Sequence, residues 1–183
     1  MLRGERVGLR ARRVADLQVL LDELYDDVPT RVRADSRPWI PIPPEAKQHP
    51  YSVEDDHGTE ACFSVVDLAT EELLGDALLW GIDTHNRLAH IGISLRPGVR
   101  GQGYATDVLR VLCRYGFIVR GLHRLQIDTL ADNEAARRLA VTAGFLLEGT
   151  LRRSAWVSGE FVDEVVFGLL DTEYRDGDGR SGP

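Results

Sequence analysis

Several things are scarce in this chain, and each scarcity excludes a class of protein. Among 183 residues there are two cysteines, Cys62 and Cys113. They lie far apart and form no metal-like spacing, so neither a disulfide framework nor a structural zinc site is expected. They read as reduced, buried thiols of a cytoplasmic protein. Lys47 is the single lysine, so nearly all positive charge is arginine, which reads as coding bias. No apolar run approaches the ~20 residues of a membrane span. The opening Met1-Leu2-Arg3-Gly4-Glu5-Arg6 lacks the apolar stretch of a signal peptide, so no membrane is expected as a partner. Positive charge is in deficit: the formal net charge is −7. That argues against nucleic acid as a partner, which needs a basic footprint. It favours a cationic acceptor such as an amine no more than it favours plain solubility.

What is present is the composition of one globular domain, 43% hydrophobic and 28% charged. Residues 1–175 read as that domain and 176–183, rich in Gly and Asp, as a disordered tail. Val7–Arg10 reads as a first strand. Asp16 is placed to cap a helix whose Leu17, Leu20, Leu21 and Leu24 follow a 3.6-residue period. Between 28 and 60 lie Pro29, Pro38, Pro41, Pro43, Pro44 and Pro50, with Trp39, Ile40 and Ile42 among them. Proline removes backbone donors and fixes φ, so this insert should be loop with short helical pieces. Ala61–Asp67 and Leu73–Asp83 read as strands, the second with Gly75 and Gly81 as bulges, and a turn leads to a third strand at His90–Leu95. Together these form an antiparallel meander.

Residues 96–105 carry the strongest signal. The run Arg96-Pro97-Gly98-Val99-Arg100-Gly101-Gln102-Gly103-Tyr104-Ala105 joins the His90–Leu95 strand to a helix over about 105–119. Such a loop aims several backbone N–H groups at the positive end of a helix, where they can cradle a pyrophosphate. Only two of the three Rossmann glycines are present, and no Gly-Lys-Ser/Thr occurs, so neither dinucleotide nor P-loop binding is implied. Arg124–Leu130 follows as a strand parallel to His90–Leu95, because a helical crossover joins them. Asp132 or Asn133 caps a short helix with Leu139 and Val141 on its inner face, closed by Gly144. Two last strands, about 147–156 and 160–170, make a hairpin through Val157-Ser158-Gly159.

Four segments together resemble the GNAT superfamily of acyltransferases. They are Arg100-x-x-Gly103-x-Ala105, the strand Ile91-Gly92-Ile93-Ser94-Leu95, Asn133-Glu134-Ala135-Ala136 with Gly144-Phe145, and the ending Glu148-Gly149-Thr150-Leu151-Arg152 with Gly159–Asp163. The ending, with the opening Arg6–Asp16, is similar to the Rim-type subfamily that acetylates ribosomal-protein N-termini. The resemblance spans about residues 5–170, with 28–60 the weakest match. It implies an α+β fold: a central mixed sheet of about seven strands with helices on both faces. It also implies acetyl-CoA as co-substrate, with no metal. The backbones of Ile93, Ser94 and Leu95 would bind the pantetheine arm. The loop Arg100, Gly101, Gln102, Gly103, Tyr104 and Ala105 would bind the pyrophosphate, and Asn133 the arm again. Ala136 stands where relatives have a serine proposed to protonate the thiolate, so that role has no side chain here. A homodimer is compatible with the family.

The acceptor would be a primary amine, either a peptide α-amine or a small amine such as a polyamine or aminoglycoside. A non-catalytic acyl-CoA-binding module is the alternative from another class. The general base is left open among Glu148, Asp128, His90 and Asp76. Each has a plainer reading: solvated strand residues for Glu148 and Asp128, a half-buried ring for His90, a sheet-edge charge for Asp76. Trp39 and Trp80 are candidates for walling an acceptor pocket.

Overall fold

The computed structural model describes residues 1–34, 37–43, 46, 51 and 58–175. The 176–183 tail and much of the proline-rich insert lie outside the described residues. The strands are β1 (Leu2–Arg3), β2 (Val7–Arg10), β3 (Ala61–Asp67), β4 (Leu73–Asp83), β5 (Leu88–Leu95), β6 (Arg124–Leu130), β7 (Leu146–Val157) and β8 (Glu160–Leu170). They form one eight-stranded sheet in the order β1-β2-β3-β4-β5-β6-β8-β7, one short strand more than expected. The expected meander is antiparallel through to β5, and the unforeseen β1 extends it at the edge beyond β2. β5 and β6 are parallel. β8, not β7, pairs with β6, so the closing hairpin enters the sheet by its second strand.

The helices are α1 (Val14–Leu20), extended by a π turn over Leu21–Tyr25, α2 (Val28–Ala34), α3 (Tyr104–Arg114), extended by a π turn over Tyr115–Val119, and α4 (Glu134–Thr142). Among the described residues, no helix is long and apolar enough to cross a membrane. Strand alternation sends neighbouring residues to opposite faces, and Leu73 and Leu74 show it. Leu74 joins the main core with Val108, Leu109 and Leu112 of α3 and Ala140 of α4. Leu73 packs against a second cluster of Leu20, Leu24, Tyr25 and Tyr51. Helices therefore cover both faces. Register shifts in β4 fall at the predicted glycines, near Gly75 and Gly81.

Four expectations need correction. Asp16 is not the cap of α1: Arg13 is, and Asp16 sits in the first turn, accepting the Arg13 N–H at 2.8 Å. On α4, Leu139 packs on the core but Val141 is 62% exposed, while Ala140 between them is buried. At 100° per residue, positions two apart lie about 200° apart and cannot share an inner face. Asp76 is no edge charge, since β4 lies inside the sheet and the carboxylate is buried against Arg12. Cys113 is buried as expected, but Cys62 is only half-buried, its thiol directed at Glu60.

Candidate active site

Between β5 and β6 the sheet splits. The two strands pair only over Leu88–His90 against Arg124–Gln126, yet β5 continues to Leu95 and β6 to Leu130. The divergence turns one edge of Ile91–Leu95 toward an open notch while its other edge stays paired with β4. Two cavities meet in this notch. One, about 530 Å³, runs between the N-terminus of α3 and α4. The other, about 280 Å³, lies toward α1 and α2. Ile93, Leu95, Arg100 and Asn133 line both, so the notch joins the two faces of the sheet.

The larger cavity begins at the predicted loop. Gly101 and Gly103 take φ of +76° and +84°, which side-chain-bearing residues resist. Gly103 caps α3 in that left-handed conformation. Around the positions a Cβ would take at Gly98 and Gly101 nothing lies within 4 Å. Tyr104 and Ala105 open the helix, so their N–H groups have no intrahelical acceptor and stand at the positive end of the dipole. This open cradle of backbone donors suits an anion.

The Arg100 guanidinium turns back, its Nε donating to the Leu95 carbonyl at 2.8 Å and its Nη2 lying 3.8 Å from Asp27. Gln102 donates its side-chain amide to the Gly98 carbonyl, and its own carbonyl accepts from Arg6. Tyr104 is held by a bond from its hydroxyl to Asp67 and by the Arg6 guanidinium 4.1 Å from its ring centroid, which leaves its backbone for a ligand. Ser94 faces the smaller cavity. Asn133 caps α4: its Oδ1 accepts the Ala136 N–H at 3.2 Å and its amide donates to Thr129. Ala136 lines the groove and, having no hydroxyl, offers no proton. The far wall was not foreseen. Ala135, Arg138, Leu139 and Thr142 recur at i, i+3, i+4 and i+7, one helix face, a signal the sequence does carry.

At the apex of the notch three of the candidate bases, His90, Asp128 and Glu148, fall into one connected row. Trp80, His90, Gln126 and Gly168 are register partners across β4, β5, β6 and β8, so they share one face. The His90 ring stacks on Trp80 with centroids 4.2 Å apart. His90 Nδ1 lies 2.6 Å from Asp128 Oδ2, and Gln126 donates to Asp128 Oδ1 at 2.8 Å. The Gln126 carbonyl accepts from Arg124 at 3.0 Å, and Arg124 is forked onto Glu148. Burial pushes the Asp128 carboxyl up, but hydrogen bonds from His90 and Gln126 outweigh it and hold it below the ordinary range. The bond from Arg124, against a smaller desolvation, also lowers Glu148. Gly168 makes room, for a Cβ there would strike the Arg124 and Glu148 side chains. Sequence reading named His90, Asp128 and Glu148 separately and missed Gln126 and Arg124. The alternation Arg124-x-Gln126-x-Asp128 is the pattern that places all three on one face.

The remaining candidates stand apart from this row. Asp76 is buried with Arg12; burial raises its carboxyl despite that charge. Trp39 packs beside Tyr25 in the second cluster.

Comparison with known proteins gives these structural features a family. The acetyltransferase (GNAT) domain model matches residues 6–146. The chain is 31% identical over 112 residues to the uncharacterized N-acetyltransferase p20 of Bacillus licheniformis, covering 61% of this chain and 63% of that protein. It is 34% identical over 103 residues to the putative ribosomal N-acetyltransferase YdaF of Bacillus subtilis, covering 56% of each. The matches thus span about three-fifths of these relatives. A crystal structure of spermidine N-acetyltransferase from Vibrio cholerae, in complex with CoA and spermine, superposes with a TM-score of 0.74 at 22% identity. It covers 92% of this chain and 98% of that one, and shares the fold.

Proposed function

Since the chain belongs to the GNAT acetyltransferase family, we propose that it transfers an acetyl group from acetyl-CoA to a primary amine within one ternary complex. The observation that carries this reading is the notch between β5 and β6, opening at one end onto the glycine loop at the start of α3. The backbone N–H groups of Gly101 to Ala105 hold the pyrophosphate. The edge of Ile93–Leu95 that β6 leaves unpaired takes the pantetheine amides as an added strand, with Asn133 at its side and Arg100 already on the Leu95 carbonyl. A backbone N–H on the same edge is placed to stabilise the oxyanion of the attacked thioester. Holding amine and thioester together in the notch supplies much of the rate.

The acceptor approaches through the smaller cavity, beside α1 and α2. Among the described residues lining it, the charged ones are Arg31 and Arg100, both cations. Neither is an anion that would hold a polyamine, and both side chains are engaged within the protein, Arg100 with the Leu95 carbonyl and Asp27 and Arg31 over the Tyr25 ring. The favoured acceptor is therefore a peptide or protein α-amine. A small amine is the second reading, favoured by the fold shared with a structure that holds spermine.

The test is thiol release from acetyl-CoA by the purified chain, offered N-terminal peptides, polyamines and aminoglycosides, with acetyl-CoA binding followed by calorimetry. Turnover with peptides alone supports the first reading, and turnover with polyamines alone replaces it by the second. Binding without turnover on any amine would leave an acyl-CoA-binding module in place of an enzyme.

A further inference from the structure

The row across the notch apex does more than gather carboxylates, and it distinguishes among the candidate bases. We propose that His90 is the proton acceptor for the attacking amine, that Asp128 and Trp80 position its ring, and that Glu148 serves only to hold Arg124. This rests on the transferase reading above.

First, Asp128 is an acceptor with both oxygens committed, one to Gln126 and one to His90 Nδ1 at 2.6 Å. An ionised carboxylate only accepts, so His90 Nδ1 must carry the hydrogen. In the neutral ring the lone pair then resides on Nε2. Second, the stack on Trp80 and the bond to Asp128 fix the ring in two directions. A ring so fixed presents Nε2 in one orientation, and a base must be positioned before its affinity for protons matters. Third, His90 is the last β5 residue paired with β6, so it stands where the notch begins. Ser94, which lines the smaller cavity, shares its sheet face, and the Leu78 side chain packs over Gly92 between them. Glu148 by contrast is forked onto Arg124, and a carboxylate in that fork is a poor proton acceptor. Among the described residues, the charged groups connected to His90 are Asp128 and Arg124 from β6 and Glu148 from β7; β4 contributes the uncharged Trp80.

The chemistry balances on one histidine. The amine nitrogen forms its bond to the carbonyl carbon and the carbon–sulfur bond breaks, the sulfur leaving with the electron pair. The amine gives up one proton, to His90 Nε2, and the sulfur needs one. Ala136 has none to offer, so the imidazolium of His90 is the source. No outside acid, oxidant or metal enters the balance.

Two readouts test this. Nitrogen-15 NMR of histidine-labelled protein should show His90 as the Nδ1–H tautomer, and Asp128→Asn should mix the tautomers. An Nε2–H tautomer in the unsubstituted protein would overturn the proposal without any assay of activity. In the thiol-release assay, His90→Gln should lower kcat about a hundredfold or more with acetyl-CoA affinity unchanged by calorimetry. His90→Ala should recover part of its rate with added imidazole. Glu148→Gln should lose less than tenfold. Full kcat in His90→Gln, or a greater loss in Glu148→Gln, would overturn it. Absence of turnover by the unsubstituted protein with every peptide and polyamine offered would instead bring down the transferase reading, and the base with it.

Discussion

Gly103 takes φ of +84° at the cap of α3, with only the tip of Arg6, 3.9 Å away, near the place of a Cβ. Space is free, so backbone conformation sets the cost of a side chain, about 1–2 kcal/mol for a left-handed residue. Gly103→Ala should therefore lose about that much stability and keep most of its acetyl-CoA affinity. Gly103→Glu should lose affinity at least tenfold further, by calorimetry, because it sets a carboxylate against phosphate. Equal affinities in the two variants would contradict the loop assignment. Asp107 is the opposite case. Its carboxylate is buried and accepts the N–H groups of Glu5 at 3.0 Å, Arg6 at 2.7 Å and Val7 at 2.9 Å, tying the start of the chain to α3. Asp107→Ala strands those donors and should cost about 3 kcal/mol in urea unfolding. The two residues differ in legibility for one reason. A glycine required by backbone geometry is visible in its own loop, whereas Asp107 is recognised only by backbone donors about a hundred residues away, which leave no mark in composition or period.

Among the elements, α1 is fixed to the sheet through Asp16. Burial raises its carboxyl, but bonds from Arg10, the Arg13 backbone and Ser64 outweigh that and hold it at about 2. A folded-state value depressed below the unfolded ~3.9 contributes stability above about pH 4, lost as pH falls toward 2. Acid titration of unfolding should show roughly 2 kcal/mol of such loss, absent in Asp16→Asn. On α4, Ala140→Leu should overpack the core by about 1–3 kcal/mol, while Val141→Lys should change stability by less than about 0.5 kcal/mol. If Val141→Lys proved the costlier, the assigned face of α4 would be wrong. Element boundaries were largely readable: β3, β4 and β6 fall where alternation put them. Phase was harder. Asp16 is a helix-start residue by type, and the sequence could not say that Arg13 caps the helix while Asp16 sits inside its first turn. For α4, two apolar residues two apart looked like one face and are not.

In the whole molecule, the site exists because two strands that begin as partners part company. The parallel pairing of β5 and β6 was legible from the helical crossover between them, but its extent was not. Where pairing stops at His90 depends on the diverging paths of both strands, not on any residue's preference. The same holds for the stacked and hydrogen-bonded row from Trp80 to Glu148, whose members come from β4, β5, β6 and β7 and meet only once β8 is inserted between β6 and β7. Gly168→Ala should disturb Arg124 and Glu148 at little cost in stability, since the atoms it would strike are the ends of long side chains. Its thiol-release rate should fall less than that of His90→Gln. The central claim is that acetyl-CoA lies in the notch, with its pyrophosphate on the loop before α3. Amide hydrogen exchange of the full chain, with and without acetyl-CoA, tests this most directly. The account predicts new protection at the backbone of Ile91–Leu95 and of Gly101–Ala105 together. Protection confined to other segments, or none at saturating acetyl-CoA, would contradict it.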